Sequence, residues 1–88
     1  MSYWKAKLTF EAQEDLNNLD KIVWDRVVKK ILWLKNSFDQ IIPLPLGGGW
    51  RGFFKLRVGD WRVIYEIVES EMLIIVHRVD HRDKVYKR

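Results

Sequence analysis

The sequence predicts an α+β domain: an antiparallel-rich sheet of about four strands with two helices packed on one face. Three observations carry this reading. Apolar and polar residues alternate at the start of the chain and again from Phe53 onward. Between those stretches Val23, Trp24, Val27, Val28, Ile31, Leu34 and Phe38 fall within one broad arc at roughly 100° per residue. Finally, Gly59-Asp60 sits between two alternating runs, where a two-residue hairpin loop belongs. The expected order is β-α-α-β-β-β, followed by a short C-terminal helix or tail.

Each element has its own signal. Tyr3 to Phe10 alternates, with Trp4, Ala6, Leu8 and Phe10 on one side and Lys5, Lys7 and Thr9 on the other, so the chain opens on a strand. From Glu11 to Leu19 the apolar positions Ala12, Leu16 and Leu19 have helical spacing, with Thr9 as N-cap. Asp20 then caps a longer helix reaching about Ser37. The segment DQIIPLPLGGG, Asp39 to Gly49, reads as a loop, because two prolines and three glycines oppose regular structure. In the hairpin that follows, Val58 is expected opposite Trp61 and Arg57 opposite Arg62. Met72 to Arg78 forms a third strand after a Glu69-Ser70-Glu71 turn, and its apolar run suits cover on both faces.

Eighty-eight residues with 48% hydrophobic content make a single domain spanning residues 1–88. Cysteine is absent, which excludes disulfides, thiolate metal sites and thiol catalysis. The N-terminus MSYWKAKLTF has no apolar signal region and the longest apolar run is too short for a bilayer, so the expectation is a cytoplasmic protein without a membrane partner. Sixteen Lys and Arg against twelve Asp and Glu give a formal charge of +4, which favours polyanionic partners. Five tryptophans exceed what one small core needs, and suggest contact surface.

The hairpin sorts the charge. In an alternating strand Arg51, Phe53, Lys55 and Arg57 share one face; Phe54, Leu56 and Val58 share the other, joined across the turn by Trp61, Val63, Tyr65 and Ile67. The first face thus gathers Lys55, Arg57 and Arg62. Like charges directly opposed weaken a hairpin by ~0.2–1 kcal/mol, and an anionic ligand would reverse that sign. In the tail, a cap at Asp80 would put Arg82 and Tyr86 at i and i+4, beside His81. A cluster of cations, a phenol and an imidazole suits attack of a ribose 2′-OH on its own phosphodiester, which needs a base, an acid and positive charge on the phosphorane. A solvated patch or a purely electrostatic nucleic-acid seat is the alternative for the same face.

A second stripe, Ile22, Arg26, Lys29 and Trp33, lies opposite the apolar arc of the long helix. An exposed tryptophan among cations is typical of interfaces, or else Trp33 folds back over a neighbouring loop. His77 and His81 have the spacing of a helical metal pair, but His77 closes a strand and no third ligand is evident beyond Asp80 and Asp83, so no metal is expected. The three glycines at Gly47 to Gly49 precede a strand rather than a helix, so they do not form a phosphate-cradling loop.

FFKLRVGDWRVIYE followed by a closing HRDKVY resembles the RelE/ParE superfamily of toxins from toxin-antitoxin pairs, and most of all its RelE-like branch. The resemblance implies a ribosome-dependent endoribonuclease that cleaves mRNA at the decoding site of the small ribosomal subunit, with no cofactor, and a cognate antitoxin that covers the basic face. It implies a catalytic set in which Lys55 assists 2′-OH activation, Arg62 steadies the transition-state charge, and Tyr86 orients the substrate base. His81 and Arg82 then contact the phosphate or protonate the leaving 5′-oxygen. Arg57 has a supporting role, and Arg51 and Arg78 are further phosphate-binding candidates. Two positions depart from the best-known members, which carry a lysine where this chain has Phe53 and an arginine where it has Asp80. The stripe at Ile22, Arg26, Lys29 and Trp33 is a candidate contact for the antitoxin or ribosomal RNA. The superfamily leaves two other classes open: a ParE-like DNA gyrase poison, and a catalytically degenerate member that only binds its antitoxin.

Overall fold

The computed structural model describes residues 3–85. In chain order it contains β1 (Lys5–Leu8), α1 (Phe10–Asn17), α2 (Lys21–Asn36), β2 (Leu44–Pro45), β3 (Phe54–Val58), β4 (Trp61–Val68), β5 (Leu73–His81) and α3 (Arg82–Val85). The strands lie in the order β1-β5-β4-β3-β2; β1 runs parallel to β5 and the other pairs are antiparallel.

Five strands form where about four were expected. The extra one is β2, two residues inside the Pro- and Gly-rich segment, pairing Leu44 with Lys55 and Pro45 with Phe54. Proline is tolerated there because β2 is an edge strand and its missing N–H need not bond a further neighbour. Being so short, β2 leaves the Arg57 end of β3 without a strand beside it.

Both helices start where their caps allow. The Thr9 hydroxyl accepts from the Ala12 N–H at 3.1 Å, and Asp20 Oδ1 accepts from the Val23 N–H at 3.0 Å. Phe10, expected on the inner side of the first strand, instead opens α1 and is exposed. Trp24, expected in the apolar arc of α2, is also exposed. The remaining apolar face, with Ala12, Leu16, Val27, Ile31, Leu34 and Phe38, packs on Leu56, Val58, Val63, Tyr65, Ile74, Val76 and Val79 of the sheet. In β5 the expected cover on both faces is uneven: Ile74 and Val76 are fully buried, while Leu73 and Ile75 are half-buried.

Asp15 of α1 ties helix to sheet. β1 ends opposite Val76, so the edge of β5 beyond it needs another partner. Thr9 Oγ1 donates to the His77 carbonyl at 3.1 Å, and Asp15 Oδ2 accepts the Val79 N–H at 2.9 Å. The same carboxylate accepts Arg78 Nε at 2.8 Å and Arg78 Nη2 at 3.1 Å.

Tyr65 lies at the centre of the core, 1% exposed, stacked on Phe54 and met edge-on by Phe38. Burial pushes its phenol up to about 12. An unfolded tyrosine ionises near pH ~10, so the folded state holds a proton that the unfolded state loses. That stabilisation is complete below pH ~10 and disappears as pH rises through about 12. Urea titrations at rising alkaline pH should show a decline on the order of 2–3 kcal/mol from this group. Tyr65→Phe should lack that component, and an identical decline in both proteins would refute the assignment.

Candidate nucleic-acid interface

The hairpin turn sets the charged face. Gly59 adopts φ +60°, which suits the first loop position of a type II′ turn, and the two-residue loop puts Val58 opposite Trp61. Arg57 therefore faces Arg62, and Lys55 faces Ile64 one step further along on the same side. These side chains stand on the sheet face away from α1 and α2. Across β4, Arg62 pairs with Asp80 and Ile64 with Arg78, extending both rows onto β5. The Arg62 guanidinium is held by two carbonyls, with Nη1 donating to Gly59 at 2.8 Å and Trp61 at 2.9 Å. Its Nε is buried with no hydrogen-bond partner among the described residues.

The remaining sequence candidates are placed differently. Arg51 is exposed but stands before β3; the intervening Gly52 at φ +88° breaks the alternation that would have aligned it with Lys55. Arg78 is engaged by Asp15. Asp80 is a residue of β5 rather than a helix cap, because the strand runs on to His81. The Asp83 N–H donates instead to His81 Nδ1 at 3.2 Å. His81, expected in the catalytic set, shares its row with Trp61 on the core side of the sheet, opposite Lys55 and Arg62, and meets the Trp61 ring edge-on at 5.5 Å. Arg82 is anchored at the hairpin tip: its N–H donates to the Asp60 carbonyl at 2.8 Å, and its Nε lies 3.8 Å from Asp60 Oδ1. Tyr86 lies outside the described residues.

Two features of this face escaped the sequence reading. A second small core, Leu46, Ile64 and Val85 with Trp50 and Phe53, clasps α3 onto the sheet, and Trp50 Nε1 donates to the Val85 carbonyl at 3.1 Å. The other is a bulge: Ile64 pairs with Arg78 but Tyr65 pairs with Val76, so His77 is the extra residue. His77 Nε2 contacts Glu66 Oε1 at 2.8 Å, with the Phe53 ring edge-on at 4.9 Å. Phe53 thus serves packing. Only the long-range register would have disclosed either feature.

The helix stripe is partly gathered. Arg26, Lys29 and Trp33 line one groove together with Lys30, Arg57, Val58 and Gly59, whereas Ile22 is exposed outside it. Among the described residues, no three or more His, Asp or Glu side chains gather into a metal-sized group, and no helix is long and apolar enough to cross a membrane.

The opposed arginines make a direct test of the register. Arg57→Thr should stabilise the free protein by ~0.2–1 kcal/mol at low salt, with the gain shrinking as salt screens the pair. Thermal melts at two ionic strengths measure this; destabilisation at low salt would contradict the pairing of like charges.

Known proteins share this fold. Toxin RelG of Mycobacterium tuberculosis is 27% identical over 85 residues, covering 97% of this chain and 98% of RelG. A chain of the toxin-antitoxin complex RelBE2 from Mycobacterium tuberculosis superposes with a TM-score of 0.79 at 28% identity, covering 90% of this chain and 98% of that one. A chain of the archaeal RelE-RelB complex from Pyrococcus horikoshii gives a TM-score of 0.71 at 21% identity, with 93% and 98% covered. Residues 6–86 match the family model for the ParE toxin of type II toxin-antitoxin systems, parDE. The chain therefore belongs to that family, as a RelE-like toxin of the RelE/ParE superfamily.

Proposed function

We propose that this toxin is an mRNA interferase acting at the ribosome, and that its cognate antitoxin silences it. The observation that carries this reading is the opposed pair Arg57 and Arg62, with Lys55 on the same face and Arg82 fixed at the same hairpin tip. Arg57 opposite Arg62 costs stability, and with Lys55 on the same face against the one carboxylate of Asp80 the face keeps an excess of positive charge that an anion would relieve. A scissile phosphodiester gains negative charge in its transition state, so fixed cations there favour cleavage over mere binding.

In the proposed reaction the 2′-oxygen bonds to phosphorus as its proton passes to a base, and the P–O5′ bond breaks. The products are a 2′,3′-cyclic phosphate and a 5′-hydroxyl end. Lys55 assists deprotonation of the 2′-OH. Arg62, its guanidinium pre-set by two carbonyls through Nη1, offers Nη2 to the phosphorane oxygens. Arg82 contacts the phosphate, and the proton that the 5′-oxygen gains comes from water, since the His81 ring packs on Trp61 across the sheet from Lys55 and Arg62. Tyr86 stacks on the base next to the scissile bond. Arg57 adds charge, Arg51 is a further phosphate contact, and Arg78 supports the strand through Asp15.

The match to a ParE toxin family keeps one second reading in view, the ParE-like gyrase poison that the resemblance leaves open. Inducing the wild type beside a Lys55→Ala/Arg62→Ala variant separates the two. Loss of one such donor commonly costs about 10²–10³ in rate, so the double variant should neither arrest growth nor cut transcripts. Equal arrest with intact transcripts, accompanied by inhibited gyrase supercoiling, would replace the RNA reading with the gyrase one.

A further inference from the structure

The cations do not stop at the sheet face. They continue around the open edge of β3 onto α2, where Arg26, Lys29, Lys30 and Arg57 line a groove of about 510 Å³ with Trp33, Val58 and Gly59. Arg26 and Lys30 are one helical turn apart, and Arg57 faces them from the strand end that β2 leaves uncovered. The groove closes at the hairpin turn, where a Cβ on Gly59 would come within 3.4 Å of an Arg26 nitrogen. Among the described residues no carboxylate lines it. Among the described residues none of these four cations makes an ion pair, although the chain carries twelve acidic residues. Trp33 is 44% exposed, and the Lys30 ammonium lies 4.0 Å from its ring centroid.

We propose that this groove is a second RNA seat, holding backbone phosphates of a single strand away from the Lys55/Arg62 face, with Trp33 as its stacking platform. The occupant follows from the chemistry. Four mutually repelling cations around an aromatic ring match the combination that tracks a polyanionic backbone and stacks its bases. The neighbouring hollow shares Lys30, Trp33 and Arg57 with the groove but adds Ile41, Ile42, Leu44 and Leu56, the aliphatic contacts that a protein segment would need. The cationic groove offers Val58 alone in place of those aliphatic residues, which favours RNA over an acidic peptide. The inference rests on the RNA reading of the toxin, but its test needs no cleavage.

Binding of a labelled, mixed-sequence single-stranded RNA oligonucleotide is measured in the Lys55→Ala/Arg62→Ala background, so the probe survives. Adding Arg26→Glu/Lys29→Glu/Lys30→Glu should weaken binding at least tenfold. It should also flatten the slope of log affinity against log salt by about 2, the value for three phosphate contacts on a single strand. Trp33→Ala, which leaves the charge unchanged, should cost roughly fivefold or more. A poly-glutamate peptide of matching charge is the second probe, and Lys29→Ala/Lys30→Ala is the milder variant if the triple reversal does not fold. Unchanged RNA affinity in the folded variants overturns the proposal, and if the peptide alone is lost the groove is a protein-docking surface. Weakened RNA binding by a chain that proves not to cleave RNA would sink the proposed function while leaving this seat in place.

Discussion

The two-residue turn at Gly59 and Asp60 is the constraint on which the rest of the molecule depends. Strand side chains alternate, so lengthening that turn by one residue would exchange the faces of β3 relative to β4. With the turn as it is, Leu56, Val58, Val63 and Tyr65 all enter the core beneath α1 and α2, and Lys55, Arg57 and Arg62 all leave it. Core formation and charge clustering are one event. Hydrophobic burial holds the arginines opposite each other against their repulsion, because moving them apart would mean lifting several aliphatic side chains into water.

The two sides of the sheet are closed by different means. On one, α1 and α2 pack in the ordinary way, and Asp15 completes the hydrogen bonding of β5 where β1 stops. On the other, the cover is small: Val85 over Ile64, with Leu46, Trp50 and Phe53 around it. That clasp, together with the Arg82 N–H on the Asp60 carbonyl, delivers the C-terminal turn to the charged face. The tail is therefore part of the site's architecture, tied at the hairpin tip by Arg82 and at mid-sheet by Val85.

What the sequence disclosed and what it concealed divide along physical lines. Thr9, Asp20 and the Gly59-Asp60 turn act through their immediate neighbours, and all three were legible, as was the facing of Arg57 and Arg62. β2 was hidden because a two-residue edge strand leaves no periodicity, least of all across Pro43 and Pro45. The bulge at His77 depends on how β4 and β5 slide past each other, which no local pattern records. Gly52 displaced Arg51 through a backbone angle, and Lys30 joined the groove because Arg57 faces it from β3 rather than because of its place on a helix wheel. Phe53 and Asp80, unexpected beside the family pattern, carry identifiable structural roles: Phe53 packs with Trp50 against His77, and Asp80 Oδ1 accepts the His81 N–H at 3.0 Å.

Positive charge runs from Arg82 at the hairpin tip across Arg62 and Arg57 and around the β3 edge to α2. Such a band has a length and a direction, as a strand of nucleic acid does. The central claim is that it brings an RNA phosphodiester to Lys55 and Arg62 for cleavage. Mapping the 5′ ends of cellular transcripts minutes after induction tests it most directly. The account predicts new 5′-hydroxyl ends inside coding regions, recurring at defined positions. Transcripts whose ends are unchanged while growth stops would contradict it.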